Sequence, residues 1–221
     1  MGIQIIGNGG TIIGAGEEAR KGLHTITLPV AGNSYRYSGF TGTIGAALAA
    51  NSELLQLRFV SGTKSFALIR KVVFDGMGIV AVATALGQWG VHMIPARAWT
   101  VAGSGGTRIA VSADNLQMET ALANSQVNDL GIATTGALTV GTKTLDANAV
   151  GQVGPWSIGT GAVTTYQLLP SGQNLLDATG GGMPLVLANQ EGFVIRTSFV
   201  GPTALTYTAG FTVDWVEVTA Y

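Results

Sequence analysis

Two short segments invite comparison with phosphate-binding loops, Gly62-Thr63-Lys64-Ser65 and Gly141-Thr142-Lys143-Thr144. A phosphate loop places glycine directly before its lysine, so that successive backbone N–H groups cradle the phosphates. Here Thr63 and Thr142 stand between the two, and both segments are expected to be hairpin turns carrying a lysine. Gly7-Asn8-Gly9-Gly10 lacks the spacing and the following helix of a dinucleotide fingerprint. The two histidines, His24 and His92, form no H-x-x-x-H pair. His92, inside the apolar run Val91-His92-Met93, reads as a packed or hydrogen-bonded strand histidine. The 12 Asp and Glu residues make no D-x-D-x-D loop, and nothing singles out two of them as a glycosidase pair. Glu17-Glu18 before Arg20-Lys21 reads as a solvated turn or a local ion-pair patch. There is no G-x-S-x-G nucleophile elbow and no cysteine. No catalytic, metal or cofactor-binding residue is therefore expected, and the chain is read as no enzyme.

Aromatic residues are the remaining candidates. Trp89 and Trp215 lie in apolar runs and are expected in the core. Trp156, in Gly154-Pro155-Trp156, is expected in a loop, as an exposed stacking group or interface anchor. The N-terminal stretch supplies a second candidate interface, with Ile3, Ile5, Ile6, Ile12 and Ile13 set among Gly7, Gly9, Gly10, Gly14 and Gly16. Isoleucines at this density favour burial, while the glycines disfavour a stable element. The stretch reads as an extended arm that docks on another surface.

Composition points the same way. Charged residues make up 10% of the 221, and hydrophobic residues 47%. Soluble domains average about 25% charged. A free monomer so poor in charge would be hard to keep soluble, which favours burial against other chains. The formal net charge of −1 and the scattered basic residues exclude an electrostatic footprint for nucleic acid. No run of 18 apolar residues is present to cross a membrane as a helix. The glycine-broken N-terminus lacks a basic leader segment, so no signal peptide is expected.

The 33 glycines punctuate short apolar runs, a pattern of many strands joined by tight turns. Strands are expected at 23–28, 54–60, 66–74, 79–86, 88–94, 107–112, 137–140, 163–169 and 193–200. The clearest is a further strand at the C-terminal end. Leu205, Tyr207, Ala209, Phe211, Val213 and Trp215 alternate with Thr206, Thr208, Gly210, Thr212 and Asp214. Period 2 puts the first set on one face of a half-buried antiparallel strand. Helical signals are confined to 46–50 and 112–123. Strands without alternating helices predict an all-β antiparallel β-sandwich, jelly-roll-like. Residues 1–22 are assigned to the extended arm and residues 23–221 to the sandwich domain.

Residues 183–217 contain PLVLANQEGFVIR and close on GFTVDWVE. The segment resembles the C-terminal strand pair of a family of tailed-bacteriophage virion structural proteins. ALAANSELLQLRFVSGTKSFALIRKVVF (47–74), ARAWTVAGSGGT (96–107) and ALTVGTKTLDA (137–147) also fit that family, in its order. Together these pieces cover about two-fifths of the chain, and the isoleucine arm has no counterpart among them. The resemblance implies a structural protein on the virion capsid, made in the bacterial host cytoplasm. It would be a decoration or cement protein binding the major capsid protein across subunits. A homo-oligomer is expected, with a trimer first because shell lattices offer three-fold sites. Alternatives are a tail, collar or fibre protein of the virion, and a carbohydrate-binding β-sandwich using Trp156 and Tyr166.

Overall fold

The computed structural model describes residues 4–6, 12–14, 33–81, 83, 85–110, 116–118, 124–159 and 171–221. The chain divides into two units, Met1–Val30 and Ala31–Tyr221. In the first, β1 (Gln4–Ile6) and β2 (Ile12–Gly14) pair antiparallel. The stretch read as lacking any stable element thus contains a short hairpin.

The second unit is all-β, with no helix among the described residues. Its strands are β3 (Asn33–Phe40), β4 (Glu53–Phe59), β5 (Phe66–Ala81), β6 (Gly87–Val101), β7 (Thr107–Arg108), β8 (Val127–Ile132), β9 (Thr142–Leu145), β10 (Gly151–Ile158), β11 (Gln173–Asp177), β12 (Leu185–Leu187), β13 (Glu191–Thr197) and β14 (Thr206–Val218). They form two antiparallel sheets. One runs β11-β5-β14-β3, with β12 also on β5. The other runs β10-β6-β13-β4-β8-β7, with β9 also on β6.

Set aside β7, β8, β9 and β12, and eight strands remain. In chain order the first sheet reads sixth, third, eighth, first, and the second reads fifth, fourth, seventh, second. That order is a jelly roll, the double-sheet sandwich expected from the strand pattern. β7, β8 and β9 are an insertion between its fourth and fifth strands.

The inward faces build one core. Leu55, Leu57, Phe59, Val91, Met93, Phe193 and Ile195 come from the larger sheet, and Tyr35, Ile69, Val72, Phe74, Tyr207, Phe211, Val213 and Trp215 from the smaller. All six alternating residues predicted for the last strand are buried, from Leu205 to Trp215. Along its length β14 pairs β5 on one side and β3 on the other.

Other expectations are corrected. Ile79 to Ala81 continue β5 rather than start a new strand, because β14 reaches far enough to pair Thr206 with Ala81. Residues 137–140 form no strand, only a bridge from Leu138 to Glu53. The expected strand at 107–112 is limited to Thr107–Arg108 among the described residues, after a turn with Gly105 and Gly106 at φ 78° and 62°. Residues 46–50 make a turn rather than a helix. Gly62 to Ser65 link strands of different sheets, so they are not a hairpin turn. Residues 23–28 and 163–169, with His24, Glu17, Glu18, Arg20, Lys21 and Tyr166, lie outside the described residues. So does most of 112–123, of which Gln117 bridges Tyr35.

Candidate functional site

Of the predicted interface residues, Ile3 lies outside the described residues. Ile5 pairs with Ile13 and Ile6 with Ile12 in the N-terminal hairpin. Trp156 stands in β10 rather than in a loop. A bulge between Val153 and Trp156 restores pairing after Pro155 and sets Trp156 opposite Trp89. The two indoles stack with centroids 5.7 Å apart, and Phe74 lies 5.4 Å from Trp156. Trp156 therefore closes the edge of the core as a half-buried ring. Trp89 and Trp215 are buried, as expected.

The larger concentration of polar chemistry lies elsewhere, on the outer face of the larger sheet. While Leu55, Leu57 and Phe59 of β4 point to the core, Glu53, Gln56 and Arg58 of the same strand are also buried. The insertion covers them. Lys143, placed in a turn by its sequence, lies instead in β9 with its side chain out of solvent. Its Nζ is 2.9 Å from Glu53 Oε2 and 4.3 Å from the centroid of Trp99. It also donates to the carbonyl of Val140. Gln56 donates to Glu53 and, at 2.7 Å, to the Thr139 carbonyl. Arg58 donates to the carbonyls of Trp99 and Thr100 at 3.2 and 3.1 Å and to Asn128 Oδ1 at 2.6 Å. Arg108 pairs with Asp129 at 2.6 Å.

Glycine makes this covering possible. A Cβ on Gly192 would lie 2.9 Å from the Trp99 ring, so only glycine in β13 lets the indole settle on the sheet. Trp99 then packs with Ile94, Ala96, Val194 and Leu145 as a second small core.

The electrostatics are those of a low-dielectric interior. Burial pulls the Lys143 ammonium below its ordinary pKa, with Glu53 acting in opposition. Burial pushes the Asp129 carboxyl up against the pull of Arg108. Lys143 and Glu53, and Arg108 and Asp129, are partners of opposite sign, while Arg58 is held by the carbonyls of Trp99 and Thr100 and by Asn128. Chemically the cluster is a clamp that ties residues 99–143 to β4. The signal for it in the sequence was the rarity of charge, with Glu53 and Arg58 bracketing an apolar strand.

Two further polar sites complete the picture. His92 Nδ1 lies 2.9 Å from Ser198 Oγ, and Arg196 Nε donates to His92 Nε2 at 3.3 Å. This is the hydrogen-bonded strand histidine that was expected. On the outer face of the smaller sheet, Arg36 makes a two-pronged pair with Asp214 at 2.5 and 2.7 Å. A groove of about 330 Å³ runs beside it, lined also by Arg70, Thr179 and Trp215. Among the described residues, no three His, Asp or Glu side chains are grouped to hold a metal ion.

Comparison of the chain with protein-family models, with curated proteins and with solved structures returns no match.

Proposed function

We propose that the chain is a structural subunit of a tailed-phage virion, a capsid decoration or cement protein that binds across subunits of the major capsid protein. The observation that carries this reading is the disposition of its few charges. Lys143 pairs with Glu53, Arg108 with Asp129, Arg36 with Asp214, and Arg97 with both Asp146 and Glu191. Glu217 is buried, where it accepts from Ser125, Gln126 and Trp215. Among the described residues, most of the few charges are engaged with one another, which leaves little to hydrate a free monomer and suits burial against other chains. The jelly roll itself recurs in capsid and lectin domains. A cement subunit needs no reaction centre. It binds only the assembled shell and stabilises it by mass action, and an interface of roughly 1,500 Å² suffices for specific binding. In this reading the subunit is a homo-oligomer, with a trimer as the first expectation.

Quantitative mass spectrometry of purified particles, scaled to the major shell protein, tests the proposal. Hundreds of copies per particle are expected. A dozen or fewer would favour a tail, collar or fibre position, and absence from the particle would overturn the virion reading. A carbohydrate-binding role is the second reading. The groove beside Arg70 favours it, since among the described residues Arg70 has no ion-pair partner while Arg36 and Asp214 are already joined. Retention on an acidic-glycan array, lost in Arg70→Ala, would support that reading.

A further inference from the structure

Lys143, Glu53 and Gln56 are arranged as more than an ion pair requires. Leu55 and Glu53 oppose successive residues of β13, Ile195 and Arg196, so β4 bulges at Leu54. The bulge sets Glu53 on the same outward face as Gln56. Lys143 Nζ and Gln56 Nε2 then donate to one and the same oxygen, Glu53 Oε2, at 2.9 and 2.5 Å. On the other side of the Gln56 amide, Arg108 Nη1 and Nη2 donate to Oε1 at 3.4 and 3.5 Å. Gln56 is fully buried, and the side chains of Lys143 and Glu53 are 0% and 2% exposed.

The geometry points to a covalent bond between Lys143 and Gln56, formed by a single intramolecular transamidation that Glu53 assists. Each step has its group. Burial favours the uncharged amine at Lys143, which is the nucleophilic form. Lys143 first gives a proton to Glu53. Nζ then attacks Cδ of Gln56, and Arg108 holds the negative charge that gathers on Oε1. As the Cδ–Nε2 bond breaks, Glu53 passes its proton to Nε2 and takes a second one from Nζ. The Nζ–Cδ amide remains, ammonia leaves and Glu53 ends as the neutral acid. No oxidant or further reactant is needed. The reaction replaces a buried ion pair with two uncharged groups, which removes the penalty of charge held away from water. The freshly folded chain holds the ion pair. The crosslink accumulates afterwards and joins β9 to β4 permanently.

Intact mass of the full chain, kept folded at neutral pH for increasing times and then denatured, tests the inference. The mass is expected to fall below the sequence value by one ammonia. Peptide mapping is expected to find a branched peptide joining Gln56 to Lys143. Lys143→Arg keeps the positive charge and is expected to retain its full sequence mass. Glu53→Gln is expected to slow the reaction by roughly a hundredfold or more, the usual share of a positioned acid–base group. Chain held unfolded in urea is expected not to react. A folded wild type that keeps its sequence mass would overturn the inference, as would loss of ammonia without the branched peptide. Loss of water instead would make Glu53 the electrophile and overturn it too. Equal rates in wild type and Glu53→Gln would overturn the assistance by Glu53. All these outcomes belong to the isolated chain and are indifferent to its place in a virion.

Discussion

Lys143 and Glu53, 90 residues apart, meet at 2.9 Å with both side chains almost wholly removed from solvent. The contact fixes the insertion to the strand at the centre of the larger sheet. Losing one partner leaves the other charge buried and unpaired, which costs about 3–5 kcal/mol. Lys143→Met is expected to destabilise by that amount. Adding Glu53→Leu should recover most of the loss, because apolar replacements of a buried pair are often close to neutral. Urea unfolding of the two single variants and the double variant checks this. A double variant as unstable as the sum of the singles would refute the coupling.

Trp215 joins packing and polarity at one position. Its ring stacks on Tyr35 at 5.6 Å, and its indole N–H donates to the buried Glu217 at 3.2 Å. Trp215→Ala is expected to destabilise by about 3–5 kcal/mol, in the range for deleting a buried aromatic. Trp215→Phe keeps the ring contact but removes one donor to the carboxylate, a loss of about 1–3 kcal/mol. Thermal or urea unfolding separates the two. A loss below about 1 kcal/mol for the alanine variant would place the residue outside the core.

The difference between β14 and β3 explains how much of this fold was legible beforehand. β14 presents an uninterrupted alternation of large and small-polar residues, because one face lies entirely on the core. In β3, only Tyr35 and Tyr37 are buried, and Asn33, Ser34, Ser38 and Gly39 look like turn residues. β8 is concealed in the same way by Asn128, Asp129 and Gly131, whose places are set by Arg58 and Arg108 from other strands. Lys143 is the sharpest case. Gly-Thr-Lys-Thr is a turn by local preference, and only Glu53 and Trp99, both distant in sequence, make it a buried strand. Glycine and proline before Trp156 predict a loop there. The bulge that returns it to the sheet depends on pairing with β6.

His92 gives a pH dependence whose sign follows from its surroundings. Burial, and then the nearby Arg196, hold its pKa below the ordinary value. The unfolded chain therefore takes up this proton more readily than the folded one. The contribution to stability is complete above the unfolded pKa of about 6.5 and is lost as pH falls through the folded value. His92→Gln is expected to flatten that part of the stability profile while leaving higher pH unchanged. Unfolding midpoints from roughly pH 5 to 8 test it. An identical slope in both proteins would exclude His92 as the group responsible.

The isoleucine hairpin belongs to the unit Met1–Val30, and the jelly roll to Ala31–Tyr221. A two-stranded hairpin of this length is marginal in water by itself, and its isoleucines favour a surface to cover them. Removing residues 1–16 is therefore expected to leave the sandwich folded, with its β-sheet circular dichroism intact, and to reduce incorporation of the chain into particles. Circular dichroism and particle binding are both needed. If the truncated chain loses its β-sheet signal, the segment is part of the fold. If it folds and binds particles as well as the full chain, the isoleucines are no interface.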